Sequence, residues 1–356
     1  PLLEAVRAKF RRENGLDYAL DELIVGVGAK QLIFTALAAT VQAGDEVIIP
    51  APYWVSYPDM VLVNDGTPVV VACPESDGFK LTPEALERAI TPRTKWLLLN
   101  TSNPTGAMYG AAELRALGEV LARHPQVWLM TDEIYEHLAY GGVPHLSPAA
   151  AVPALAGRCL TINGVSKAYA MTGWRLGYAG GPKALIKAMA TLISQSTSCV
   201  SAISQSAART ALTADQGCVR EAAGIFHARR DRIVALLNAV PGIRCPQPQG
   251  AFYVYPSVAG LLGKRTADGR ALQSDLDVVM FLLDAAGVAV LDGAAYGLSP
   301  YLRLSFAKQP IQKTLKRHPR TKTVGNAVML LRIPRQIERK LFIMVASFNL
   351  AGRFSQ

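Results

Sequence analysis

The residue pattern predicts an α/β fold: a three-layer, mostly parallel sheet with helices on both faces, followed by a smaller α+β domain. Apolar strand-like runs alternate with helix-period segments between residues 46 and 179, and such alternation means parallel strands covered on both faces. Near residue 225 the pattern changes to one long helical segment followed by short strands. Half of the 356 residues are hydrophobic and no repeat or low-complexity linker interrupts them, so a sizeable core is available. The expected organisation is a large domain over 1–225, a small domain over 226–307 and an atypical tail over 308–356.

Residues 1–14, PLLEAVRAKFRREN, place Leu2, Val6 and Phe10 on one face of a helix that Gly15 stops. A helix over 31–41 follows Gly28-Ala29-Lys30. Strands are expected over 46–50, 68–73, 95–100, 127–132, 160–163 and 176–179, with helices over 82–90 and 111–123. In the second domain a helix over 226–240 leads to Pro241-Gly242, and another covers 274–286 with Ser274 as its N-cap. Strands are expected there over 251–255, 288–291 and 301–307. In the last of these Leu302, Leu304 and Phe306 share one face, and Arg303 takes the other.

Ligands gather at the carboxyl ends of strands in such sheets. Those ends carry Trp54, Asn103, Asp132, Tyr135 and Lys167. Lys167 follows an apolar run and the turn Asn163-Gly164, with Arg175 eight residues later. A lysine held among apolar groups can lose its proton and attack a carbonyl, whereas an arginine stays charged and its planar fork fits a phosphate. One cofactor carries both an aldehyde and a phosphate: pyridoxal 5′-phosphate. A carboxylate such as Asp132 beside its pyridine nitrogen keeps the ring protonated and electron-accepting. Tyr135 and Asn103 suit its ring oxygen, and Trp54 its flat face. The N–H groups at Gly28, Ala29 and Lys30 open a helix and suit its phosphate. Each residue has a plainer use: a helix cap for Asp132, core for Trp54, a turn for Asn103, a cap for Gly28 and solvated charges for Lys167 and Arg303. On a cleft face, Arg303 would instead be a fork for a substrate α-carboxylate.

The stretches VGAKQLIF, DEVIIPAPYWVSYPDM, NPTG, TDEIYEHL, SKAYAMTGWRLGY, GAFYVYPS, GVAVLDGAAYG and YLRLSFA make a longer match. Over residues 1–307 the chain resembles the class I/II pyridoxal-phosphate aminotransferases of fold type I, and most closely the bacterial aspartate aminotransferase subgroup. The resemblance implies that Lys167 is the Schiff-base lysine and general base, Arg175 a phosphate ligand, Asp132 the pyridinium partner and Trp54 the stacking ring. It further implies that Asn103, Trp54, Lys30 and Arg303 touch substrate, Lys30 through the distal carboxylate of an acidic one. The implied reaction moves the amino group of an acidic L-amino acid, aspartate first, to a 2-oxo acid such as 2-oxoglutarate. The resemblance also implies a homodimer, and the cysteine usage leads to the expectation of a cytoplasmic location and no metal. Competing readings are a prephenate or aromatic aminotransferase, other chemistry on the same fold such as a lyase or decarboxylase, and a non-catalytic binding module.

The chain departs from the family pattern in four places. Gly164 stands where the family has the first serine of S-x-S-K. The stretch LLLNTSNPTG is one residue short and lacks the usual proline. The family's front segment, with a glycine near the substrate and a tyrosine reaching the partner subunit's phosphate, is expected to be missing. After YLRLSFA the tail turns basic and proline-broken, as a scar of translation in another frame would.

The tail also explains the charge. Residues 308–356 hold 11 of the 37 Lys and Arg and one of the 27 acids, leaving 26 of each sign in 1–307. The net charge of +10 therefore gives no ground for a nucleic-acid-binding fold, although a basic arm is the rival reading of the tail. The five cysteines are scattered without C-x-x-C spacing, which argues for reduced thiols and against a metal site. No apolar run approaches membrane-spanning length.

Overall fold

The computed structural model describes residues 1–100 and 102–307, so the basic tail lies outside the described residues. They form two compact units. The first comprises 1–103, 107–225 and 249–251; the second comprises, among the described residues, 104–106, 226–248 and 252–307.

The first unit is built on seven strands: β1 (Leu23–Gly26), β2 (Glu46–Ala51), β3 (Thr67–Ala72), β4 (Thr94–Asn100), β5 (Trp128–Asp132), β6 (Cys159–Gly164) and β7 (Gly177–Gly180). Their spatial order is β1-β7-β6-β5-β4-β2-β3. β7 runs antiparallel to β1 and β6, and the other pairs are parallel. Alternation along the strands feeds two cores. Ile48, Leu97, Leu99 and Leu129 join Val6 and Phe10 near the start of the chain and Leu114 and Leu117 of Ala111–Arg123 on one face. Val47, Ile49, Trp96, Leu98 and Met130 face the other way. There they meet helices Ala29–Thr40, Ser56–Val63 and Lys183–Ser196 through Leu32, Tyr57 and Met189. Burial on both faces is why these strands read as continuous apolar runs.

The opening helix, Leu2–Lys9, continues as a wider π turn over Phe10–Asn14 and stops at Gly15 in the left-handed region, φ 67°. β1 is an addition to the strands expected from sequence. Four residues, LIVG, are too few to show a period, and the antiparallel pairing with β7 is what defines them as a strand.

The second unit holds a three-stranded antiparallel sheet, β8 (Tyr253–Val254), β10 (Leu302–Ser305) and β9 (Leu291–Asp292) in that order. Two expected strands are shorter than 251–255 and 288–291 because each pairs with β10 over two residues only. Ser274 caps helix Asp275–Ala286, accepting from the Asp277 N–H at 3.2 Å. Leu302, Leu304 and Phe306 are buried and Arg303 is half-buried, as alternation requires.

A candidate active site at the strand ends

β4 and β5 pair so that Asn100 and Asp132 are register partners at their carboxyl ends. Both belong to parallel strands, so their side chains share a face. Asp132 is buried and accepts the Tyr57 hydroxyl at 2.7 Å through Oδ2. Asn100 Nδ2 donates to Tyr57 Oη at 2.6 Å and lies 3.4 Å from the same carboxylate oxygen. The Asn100 side-chain oxygen accepts the N–H groups of Ser102 and Asn103, at 3.1 and 2.9 Å, and so ties down the turn that carries Asn103. The other oxygen of Asp132, Oδ1, accepts only the Ile134 N–H at 3.3 Å among the described residues. The aspartate thus caps a turn rather than a helix.

Burial pushes the Asp132 carboxyl up, against the Tyr57 hydrogen bond, the Ile134 N–H and the positive charge of Lys167, which pull it down. Lys167 therefore stands close enough to act on Asp132 electrostatically, and its Nζ lies 5.5 Å from the ring centre of buried Tyr135. The Tyr57 phenol is driven well above its usual range by burial and by the Asp132 charge, which keeps its proton on and its hydroxyl a donor.

A second group of residues gathers at the start of helix Ala29–Thr40. Gly28 precedes it at φ 87°, and a Cβ there would lie 2.5 Å from Arg175 Nη2. Arg175 is itself in the left-handed region, φ 49°, and donates to the carbonyls of Thr172 and Val27 at 3.1 and 3.3 Å. Ala29 and Lys30 are the first two residues of the helix, where backbone N–H groups have no partner one turn back. Lys30 Nζ donates to Ser56 Oγ at 3.2 Å and sits 4.7 Å from the Trp54 ring centre. Lys30 and Arg175 line one cavity of about 570 Å³ with Gln31, Ser56 and Thr197. Trp54 is partly exposed and meets Tyr57 edge-on at 5.3 Å.

The first unit thus carries Gly28, Ala29, Lys30, Trp54, Asn103, Asp132, Tyr135, Lys167 and Arg175 at strand ends and one helix start. Arg303 belongs to the second unit, with its guanidinium 4.5 and 4.7 Å from the rings of Tyr253 and Tyr296. Two residues of the cluster, Tyr57 and Asn100, escape a reading of the sequence. Tyr57 reads as core in a helix, and Asn100 as the last residue of an apolar run. A polar residue ending such a run on the face of Asp132 is the available signal.

Behind the same turn lies a separate polar network. Glu133 accepts Thr131 Oγ1 at 2.9 Å, Ser147 Oγ at 2.5 Å and His145 Nε2 at 2.8 Å. Glu136 pairs with fully buried Lys9 and accepts Asn14 Nδ2 at 2.6 Å. Glu133, Glu136 and His145 lie within metal-binding reach of one another, and protein donors bind every oxygen of both glutamates.

The statistical model of the aminotransferase class I and II family matches residues 1–316. The chain is 55% identical over 307 residues to the aspartate aminotransferase of Rhizobium meliloti strain 1021, covering 86% of this chain and 75% of that one. It is also 55% identical to the aspartate/prephenate aminotransferase of Cereibacter sphaeroides, covering 86% and 77%. The crystal structure of the Rhizobium meliloti aspartate aminotransferase superposes with a TM-score of 0.85 over 86% of this chain and 77% of that one, at 55% identity. The mixed seven-stranded sheet is therefore that of the fold type I aminotransferases. The family implies pyridoxal phosphate. No helix among the described residues is long and apolar enough to cross a membrane. The chain belongs to the aminotransferase class I and II family, and it is an enzyme of amino-group transfer.

Proposed function

We propose that this enzyme transfers the amino group of L-aspartate to 2-oxoglutarate, with prephenate as a second oxo-acid acceptor, through pyridoxal phosphate held by the first unit. The observation that carries the reading is the pairing of a buried Asp132 with one lightly used oxygen and a glycine–arginine cradle at a helix start. The donor set suits the cofactor: a buried carboxylate for a pyridinium, a lysine amine for the aldehyde, and an arginine with first-turn N–H groups for the phosphate. When bound, the cofactor supplies an electron sink for negative charge at the substrate Cα.

The chain's own groups do the rest. Asp132 holds the proton on the ring nitrogen. Asn103 and Tyr135 orient the ring through its oxygen, and Trp54 covers its face. Gly28, Ala29, Lys30 and Arg175 anchor the phosphate end. Lys167 takes the proton from the substrate Cα as general base. Arg303 binds the α-carboxylate, with its fork braced by the two tyrosine rings. Lys30 selects an acidic side chain, its ammonium standing over Trp54 at the cavity wall. Prephenate enters because the Cereibacter sphaeroides relative is named for both substrates. A homodimer, which the resemblance implies, is checked by light scattering.

An amino-donor panel tests the reading, run on the full-length chain with and without added pyridoxal phosphate. The expected result is cofactor-dependent oxaloacetate formation from aspartate and 2-oxoglutarate. Aspartate consumption that yields alanine or a deaminated acid without glutamate would overturn transamination in favour of a lyase or decarboxylase.

A further inference from the structure

We propose that Tyr57 and Asn100 are positioning residues that clamp one oxygen of Asp132 and so set how firmly the site grips a ring nitrogen. The proposal rests on the pyridoxal-phosphate reading above.

The hydrogen bonds run one way. The backbone N–H groups of Ser102 and Asn103 donate to Asn100 Oδ1. Asn100 Nδ2 donates to Tyr57 Oη, and the Tyr57 hydroxyl donates to Asp132 Oδ2. A hydroxyl has one proton, so accepting from Asn100 leaves Tyr57 only the carboxylate to donate to. The chain of bonds ends on Oδ2, and Oδ1 accepts one backbone N–H, that of Ile134, among the described residues. It also joins the turn bearing Asn103 to the carboxylate of Asp132, two groups assigned to different edges of the ring. Tyr57 is fully buried and packed among Met60, Val61 and Trp96 on one face of the sheet, so its hydroxyl is held rather than solvated.

The bland alternative is a core tyrosine whose hydroxyl merely needs an acceptor. The two differ in what happens to nitrogen recognition. The test compares pyridoxal phosphate with its 1-deaza analogue, in which carbon replaces the ring nitrogen, by equilibrium dialysis on the full chain. Wild-type protein should prefer the pyridine form. Tyr57→Phe should narrow that preference about tenfold, the scale of one hydrogen bond to a charged group, and leave deaza affinity unchanged. Tyr57→His, which restores a donor, should recover part of it. Asn100→Ala loses the donor to Tyr57 without placing a second carboxylate beside Asp132, and should narrow the preference in the same direction. It carries the test if Tyr57→Phe does not fold. An unchanged preference in both variants would overturn the clamp while the cofactor reading stands. Wild-type protein that binds neither ligand, or both equally, would overturn the assignment of Asp132 to the ring nitrogen, and the clamp with it.

Discussion

Asp132 and Glu133 are neighbours in the chain, both carboxylic and both buried, at 6% and 1% exposure, yet their surroundings do opposite things. Glu133 and its companion Glu136 are bound by side-chain donors, and the Lys9 charge helps hold the Glu136 carboxyl down to about 2 despite full burial. Asp132 has the Tyr57 clamp on one oxygen and a long backbone contact on the other, and burial wins, raising it. Burial alone therefore does not tell a structural acid from a functional one. The kind of partner differs: Glu136 faces the Lys9 ammonium and Glu133 Oε2 faces two side-chain donors, whereas Asp132 Oδ1 meets a backbone N–H at 3.3 Å among the described residues.

The strongest way to sharpen this contrast is Lys167→Ala. It should lower kcat by about a thousandfold or more, the upper range for loss of a general base, and leave the urea midpoint unchanged. Single-turnover kinetics read the first and denaturation the second. On the other side of the turn, Lys9→Met leaves Glu136 buried without its counter-charge and should cost roughly 3–5 kcal/mol in urea unfolding. Adding Glu136→Gln should recover much of that, because a neutral amide needs no counter-charge. A matched pair comes next. Asp132→Asn should lower kcat about a hundredfold with little change in stability, whereas Glu133→Gln should cost about 1–3 kcal/mol in stability and spare kcat. If both substitutions moved the same quantity, the division between the two acids would fail. A smaller effect is expected at the cavity wall. Lys30→Gln should reduce kcat/KM for aspartate about tenfold and leave an apolar amino donor nearly unaffected.

The weakest effect is on the network's share of the pH dependence of stability. Glu136 has a folded value of about 2 against an ordinary 4.5, so its contribution is complete above pH 4.5 and lost as pH falls toward 2. His145 is lowered by burial but raised further by Glu133 and Glu136, ending above its ordinary 6.5. Its contribution is therefore complete below pH 6.5 and lost as pH rises through the raised value. Thermal melts across this range should show greatest network stabilisation between those limits, and His145→Gln should remove only the alkaline loss.

Much of the fold and of the site is legible in the residue order. The parallel strands are readable because strands buried on both faces must be apolar throughout, and the sheet's carboxyl edge then locates Trp54, Asn103, Asp132, Tyr135 and Lys167 by rule. β8 and β9 are overdrawn by the same reading for the converse reason: a two-residue ladder depends on its partner strand, and apolar composition extends past it. Tyr57 and Asn100 escape it because each looks like its local element, a helix-core tyrosine and a strand end. Their meaning comes from a third residue far along the chain.

Residue order alone determined the alternation of elements, the strand-end positions of the reactive side chains and the neutral charge of residues 1–307, since these follow from local period and composition. Only the tertiary structure decided that the Tyr57 hydroxyl meets Asp132 while Ser147 and His145 meet Glu133, because a carboxylate's donors arrive from other segments. It likewise decided that Gly28 lies against Arg175, a close approach that requires the absence of a side chain. Such partners are set by packing between distant elements, which no local pattern encodes.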